Sequence, residues 1–145
     1  MSRFSAESLL GRPVRMNGIQ LGHPVDVVID GDVRRVAGLD VRCGDDAHRF
    51  LPLTAARIRS DELAIASTFM LLSPDELAFY RKRGTTLRRL RGTPVSLGGR
   101  AAGTLQDVIA SGDGAIVEVV LDGDRHVPMD DALRIGGDPR RRDAA

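Results

Sequence analysis

The stretch "GRPVRMNGIQLGHPVDVVIDG", residues 11–31, is written twice in this chain. Its second version is "GTPVSLGGRAAGTLQDVIASG", residues 92–112. Gly11, Pro13, Val14, Gly18, Gly22, Asp26, Val27 and Gly31 meet Gly92, Pro94, Val95, Gly99, Gly103, Asp107, Val108 and Gly112 at a constant spacing of 81. An internal repeat is read before anything else, because it sets the architecture. Within the first copy, "RPVRM" reads as a short strand, Asn17-Gly18 as a hairpin turn, and "LGHPVDVVIDG" as a long strand. Pro24 inside that strand requires an edge or a bulge.

Working outward, "RRVAGLDVR" (Val36, Leu39 and Val41 apolar), "HRFLPL" and "ELAIA" read as further strands. The second copy answers with "AIVEVVLDG", "RHVPM" and "ALRI". Ile116, Val119 and Leu121 follow Val36, Leu39 and Val41 at a spacing of 80, and Arg125 and Pro128 follow Arg49 and Pro52 at 76. The drift comes from a shortened loop, as expected of a duplicated β-module. Short strands with Gly and Asp turns leave no room for crossover helices, which predicts an antiparallel sandwich or small barrel. The second copy stops at "RIGGDP" without a clear last strand. Its open edge needs a cover, from the N-terminal segment, the other copy or a second chain.

Between the copies, Ser73, Pro74 and Glu76 form a helix start and Gly84 a stop, predicting a helix over 74–83 with Leu77 and Tyr80 on one side. "SAESLLG" reads as one helical turn before the first strand. The expected layout is a first repeat over 5–67, a linker with a short helix over 68–90, a shorter second repeat over 91–137 and a disordered tail over 138–145.

Of the 145 residues, 42% are hydrophobic but only 3% aromatic, so Val, Leu, Ile and Ala must build the core. Half-length domains are only marginally stable alone, which favours two halves that pack together. A net charge of +1 gives no global attraction to nucleic acid or anionic membrane. A single cysteine, Cys43, fits a reducing compartment, and neither a signal peptide nor an apolar run of membrane-spanning length is visible. The expected location is cytoplasmic.

The order "LLGRPV…G..LG..VDVVID…RVAGLDV…FLPL" resembles the PRC-barrel family, and "LRGTPVSLGGRAAGTLQDVIA…AIVEVVL…RHVPM" resembles it less closely. Together they span about Ser5 to Gly137. The resemblance implies an all-β chain of two small PRC-type antiparallel β-barrels in tandem, joined by a short helical linker. Such barrels occur in the cytoplasmic domain of the photosynthetic reaction-centre H subunit and at the C-terminus of the ribosome maturation factor. They also occur in bacterial proteins related to MgtE magnesium transporters, which the tandem arrangement here is similar to. The implied role is a non-enzymatic adaptor with a protein partner, self-association into a homodimer remaining open. The alternatives are an RNA or ribosome-assembly factor and a peripheral accessory of a membrane transport or photosynthetic complex.

No residue pattern supplies catalysis, a cofactor or a metal. His23, His48 and His126 are scattered, and with one cysteine they lack zinc-ligand spacing. Asp30–Asp32, Asp45-Asp46, Asp122–Asp124 and Asp130-Asp131 lack the spacing of a calcium loop and suit tight turns. Asp26 and Asp107 occupy one repeat position, so a fold role is expected, with the carboxylate bonding backbone groups in a neighbouring turn. The candidate contact residues are Arg81, Lys82, Arg83, Arg88, Arg89 and Arg91. They read either as a patch for RNA, an anionic lipid surface or an acidic partner, or as the solvated face of the linker.

Overall fold

The computed structural model describes residues 2–136; Met1 and residues 137–145, including the expected tail, lie outside the described residues. The chain is mostly β, with curled sheets that include a half-barrel. The strands are β1 (Arg3–Ser5), β2 (Val14–Met16), β3 (Ile19–Ile29), β4 (Val36–Cys43), β5 (His48–Pro52), β6 (Ala56–Ile58) and β7 (Leu63–Ile65). After helix α1 (Pro74–Arg83) come β8 (Thr85–Thr86), the single turn α2 (Leu87–Leu90), then β9 (Pro94–Leu97), β10 (Arg100–Ser111), β11 (Ile116–Leu121), β12 (Arg125–Pro128) and β13 (Leu133–Ile135).

The Asn17-Gly18 hairpin forms as the sequence predicts. Both residues have positive φ (52° and 81°), the mirror-image turn whose twist suits two antiparallel strands. Pro24 is accommodated by a bulge: the β3–β4 register slips between Pro24 and Asp26. The same slip recurs between Leu105 and Asp107 in β10. At this position Leu105 donates its N–H to the carbonyl of Thr93 at 2.9 Å, a bond Pro24 has no hydrogen to make. Two bulges in each long strand bend it, so that one strand serves two directions of its sheet.

One sheet runs β5-β4-β3-β2-β7-β6, with β8 added on β3. The other runs β12-β11-β10-β9-β13, with β1 added on β10. Two expectations are corrected here. The pairing is not wholly antiparallel, because β2 and β7 run parallel. After β5 the chain first lays down β6, so the next strand returns in the direction of β2. The second copy does not lack a last strand either: β13 pairs antiparallel with β9. "ALRI" aligns with "ARI" of β6, so among the described residues it is the β6 equivalent that pairs directly with β9.

The opening segments are exchanged between copies. Ser5 lies opposite Ile109, and Thr86 opposite Val28. Ser5 and Thr86, like Val28 and Ile109, are 81 residues apart, so the two crossings are equivalent. Of the covers expected for the second copy's edge, the N-terminal segment is therefore in place, as β1. The copies also touch directly. Val36 N–H donates to Gly114 O at 2.8 Å and Ile116 N–H to Arg34 O at 2.9 Å, a reciprocal pair at equivalent positions. Buried residues of both copies, among them Val14, Leu39, Leu51 and Leu63 with Val95, Leu105, Val119 and Leu121, form a single hydrophobic cluster. With aromatics scarce, interdigitated aliphatic side chains fill the space, and exchange of the opening segments gives each half more surface to bury than it could alone.

Symmetry breaks at α1. Ser73 caps it, its Oγ accepting the N–H of Glu76 at 3.2 Å; Pro74 opens it and Gly84 ends it, as predicted. Leu77 is its one buried residue, packed with Val28 and Phe50 on the outer face of the first sheet. Tyr80 stacks on Phe50 at 4.3 Å between ring centroids. Beneath lies Gly38, where an added Cβ would run into the Phe50 ring and the carbonyl of Leu51. In the second copy Phe50 is replaced by His126 and Gly38 by Glu118, and these two pair at 3.0 Å. A polar pair needs no helical cover, and His126 is exposed.

Candidate interaction surface and basic cleft

Asp26 and Asp107 are buried, and their work is structural. Oδ1 of Asp26 accepts the N–H of Val27 at 2.9 Å and that of Arg88 at 3.1 Å. Oδ1 of Asp107 accepts the N–H of Val108 at 2.8 Å and that of Glu7 at 3.0 Å. Glu7 and Arg88 are themselves 81 apart, so each carboxylate holds the opening turn of the other copy. Ser5 adds its hydroxyl to Asp107 Oδ2. The expected fold role stands, and it acts across the two copies.

The other polar candidates are also locally engaged. Nδ1 of His48 meets Asp40 at 2.8 Å. Arg49 grips Asp45 through two nitrogens, at 2.8 and 3.0 Å, and this bond with the N–H of Ala47 lowers the Asp45 pKa to about 2. The N–H of Thr104, aided by Arg125, lowers that of Asp122, and the Ser111 hydroxyl with the Ala115 N–H lowers that of Asp113. These are turn and hairpin contacts. Cys43 is buried, its Sγ 3.8 Å from the carbonyl of Val41. Among the described residues there is no group of three or more His, Cys, Asp or Glu placed to hold a metal, and no helix long and apolar enough to cross a membrane.

The six basic candidates divide three ways. Arg91 is drawn away to Glu7, at 3.1 Å, and to the carbonyl of Gln106. Lys82 and Arg83 lie exposed on the last turn of α1, where cations complement the helix dipole, and Arg83 sits over the Phe79 ring at 5.3 Å. Arg81, Arg88 and Arg89 converge on one cleft of about 390 Å³, which His48, Asp40 and Asp26 also line. The sheet brings this about: β8 pairs with β3, so the turn that follows it lands beside the C-terminal end of α1.

Aromatic exposure around α1 is a feature sequence reasoning passed over. The chain has only four Phe and one Tyr. Phe69 is 89% exposed, Phe79 52% and Tyr80 37%. Phe69 is held outward by a 3-10 turn, Thr68–Met70, capped by Ser67. The signal for Phe79 was available: with Leu77 and Tyr80 on the side toward the sheet, the two residues between them, Ala78 and Phe79, must point away. No protein-family model matches this sequence, and no curated protein matches it either.

Proposed function

We propose that the chain is a non-enzymatic interaction module, two PRC-type barrels in tandem, whose contact surface is the outer face of α1 and the turn before it. One observation carries the reading. A chain that spends so few residues on aromatics leaves Phe69 and Phe79 exposed, with Arg83 over the Phe79 ring. Exposed aromatics flanked by cations are the usual anchors of a protein contact, and they suit a partner with an acidic rim. The buried carboxylates lend further support, because Asp26 and Asp107 are occupied with backbone N–H groups.

The test places a photo-crosslinking residue at position 78, beside Phe79, and compares lysates with and without nuclease for the wild-type chain and for the double variant Phe69→Ser, Phe79→Ser. Leu77 and Tyr80 are untouched, so α1 keeps its anchor. One defined protein captured by the wild type and lost in the variant is the expected result. Capture that survives the double substitution sinks the surface assignment. Capture that disappears with nuclease sinks the protein-partner reading in favour of RNA.

A further inference from the structure

We infer that the cleft between the end of α1 and the turn α2 binds a phosphate-type oxyanion, held by Arg81, Arg88 and Arg89. This stands apart from the α1 surface and survives its failure. Three observations carry it.

The first is the state of the guanidinium groups. Arg3, Arg15, Arg42, Arg49, Arg59, Arg91 and Arg125 each pair with a carboxylate of the chain. Among the described residues, Arg81, Arg88 and Arg89 have no such pairing, as is also true of Arg12, Arg34, Arg35, Arg57, Arg83, Arg100 and Arg134; what sets these three apart is that they gather in one cleft. Like charges gathered without partners repel, and a bound dianion removes that cost. Guanidinium forks match tetrahedral oxyanions in two-pronged geometry, which an ammonium cannot reproduce.

The second is the internal comparison that the duplication provides. The turn carrying Arg88-Arg89 is matched in the other copy by Glu7-Ser8, 81 residues earlier. Both turns meet the same structural demand, donation of one backbone N–H to the facing buried aspartate. Glu7-Ser8 meets it without a cation, so the fold does not require arginine at either position. The arginines are additional to the clasp.

The third is the floor of the cleft. Asp26 is occupied by the Val27 and Arg88 N–H groups, and Asp40 is joined to His48. One oxygen of each carboxylate is thus answered by neighbours other than the three guanidinium groups. The backbone N–H of Arg88 is already committed to Asp26, so side chains rather than the amide must hold the ligand, toward the Arg81 and Arg89 rim. The same phosphoryl chemistry is offered by free phosphate and by a phosphorylated lipid headgroup.

The experiment follows the arginine Nε–H resonances of the full chain while inorganic phosphate or pyrophosphate is added, against chloride at equal ionic strength. A parallel arm offers vesicles with and without a phosphoinositide. Expected are saturable shifts at Arg81, Arg88 and Arg89 that chloride does not give. Arg81→Gln should weaken binding about tenfold, as loss of a charged hydrogen-bond donor does. The double variant Arg88→Glu, Arg89→Ser carries the other copy's residues, so its melting temperature should stay close to wild type while binding is lost. Should it misfold, Arg81→Gln with Arg89→Gln serves the same purpose. Vesicle capture that pyrophosphate competes away assigns the phosphate to a lipid; phosphate binding without vesicle capture assigns it to a free ligand, and both support the site. Shifts no larger than those from chloride, or a folded double variant that binds as wild type does, overturn it.

Discussion

Asp107 holds the N–H groups of Glu7 and Val108 on one oxygen and the Ser5 hydroxyl on the other. Replacing it with Ala leaves two sheltered donors without an acceptor, and each such loss costs about 1–3 kcal/mol. Asp107→Ala should therefore lower the unfolding free energy by about 2–4 kcal/mol in urea titrations. Asp107→Asn, which keeps one carbonyl oxygen in place, should lose less than half as much. Equal losses in the two variants would mean that charge, not acceptor geometry, matters here. Asp45 behaves differently, because it is exposed. Its folded pKa, about 2, lies below the ordinary value of 3.8. A lowered pKa gives a contribution that is complete above the unfolded value and fades as pH falls through the folded one. Wild type should thus melt slightly above Asp45→Asn at neutral pH, with the gap closing between about pH 4 and pH 2. A gap that is constant across that window would remove the Arg49–Asp45 bond as its cause. At this scale the sequence was informative about Asp26 and Asp107, since their shared repeat position pointed to a fold role. It was silent on their partners, because those lie on the opening turn of the opposite copy.

Helix α1 rests on little: one buried leucine, one stacked tyrosine and a capped start. Removing a buried leucine side chain costs about 2–5 kcal/mol in a well-packed core, and less where the site can collapse or open to water. Leu77→Ala should cost about 2 kcal/mol, the low end of that range, because the cluster it closes with Val28 and Phe50 is small. It should release α1 before the sheets, visible as early hydrogen exchange confined to residues 74–84. Loss of protection spread evenly over both sheets would show that α1 is integral to the core. The bounds of this helix were legible because capping chemistry is local: Ser73, Pro74 and Gly84 act within a few residues. The strand order was less legible. Period-two alternation located β3, β4, β10 and β11, but β6 is three residues long and alternates with nothing. The parallel contact between β2 and β7 is set by where the chain returns, and no local pattern encodes that. The basic segment fared likewise. Its six cations were visible as a run, but only the β8–β3 pairing decides that Arg81, Arg88 and Arg89 meet while Arg91 turns to Glu7.

Across the molecule the two copies stand as pseudo-equivalent partners, each lending its first strand and turn to the other. The reciprocal bonds of Val36 with Gly114 and Ile116 with Arg34 lie where a two-fold axis would run if the copies were separate chains. With the main hydrophobic cluster shared, neither copy keeps most of its core when the other unfolds; only the small Val28–Phe50–Leu77 cluster belongs to the first copy alone. The intact chain should therefore melt in one transition, with calorimetric and van't Hoff enthalpies in agreement. Severing the chain after Gly84 sharpens the test, since that cut leaves α1 on the first copy and β8 with α2 on the second. The first fragment then lacks the segment that covers β3, and the second lacks β1 on β10. Each fragment alone should show broad, weakly cooperative melting. An equimolar mixture should regain the sharp transition, at a temperature that rises with concentration because association now costs translational freedom. Two separate transitions in the intact chain, or a fragment as cooperative alone as in the mixture, would mean that the copies fold independently and that the exchanged segments are only appended to finished units.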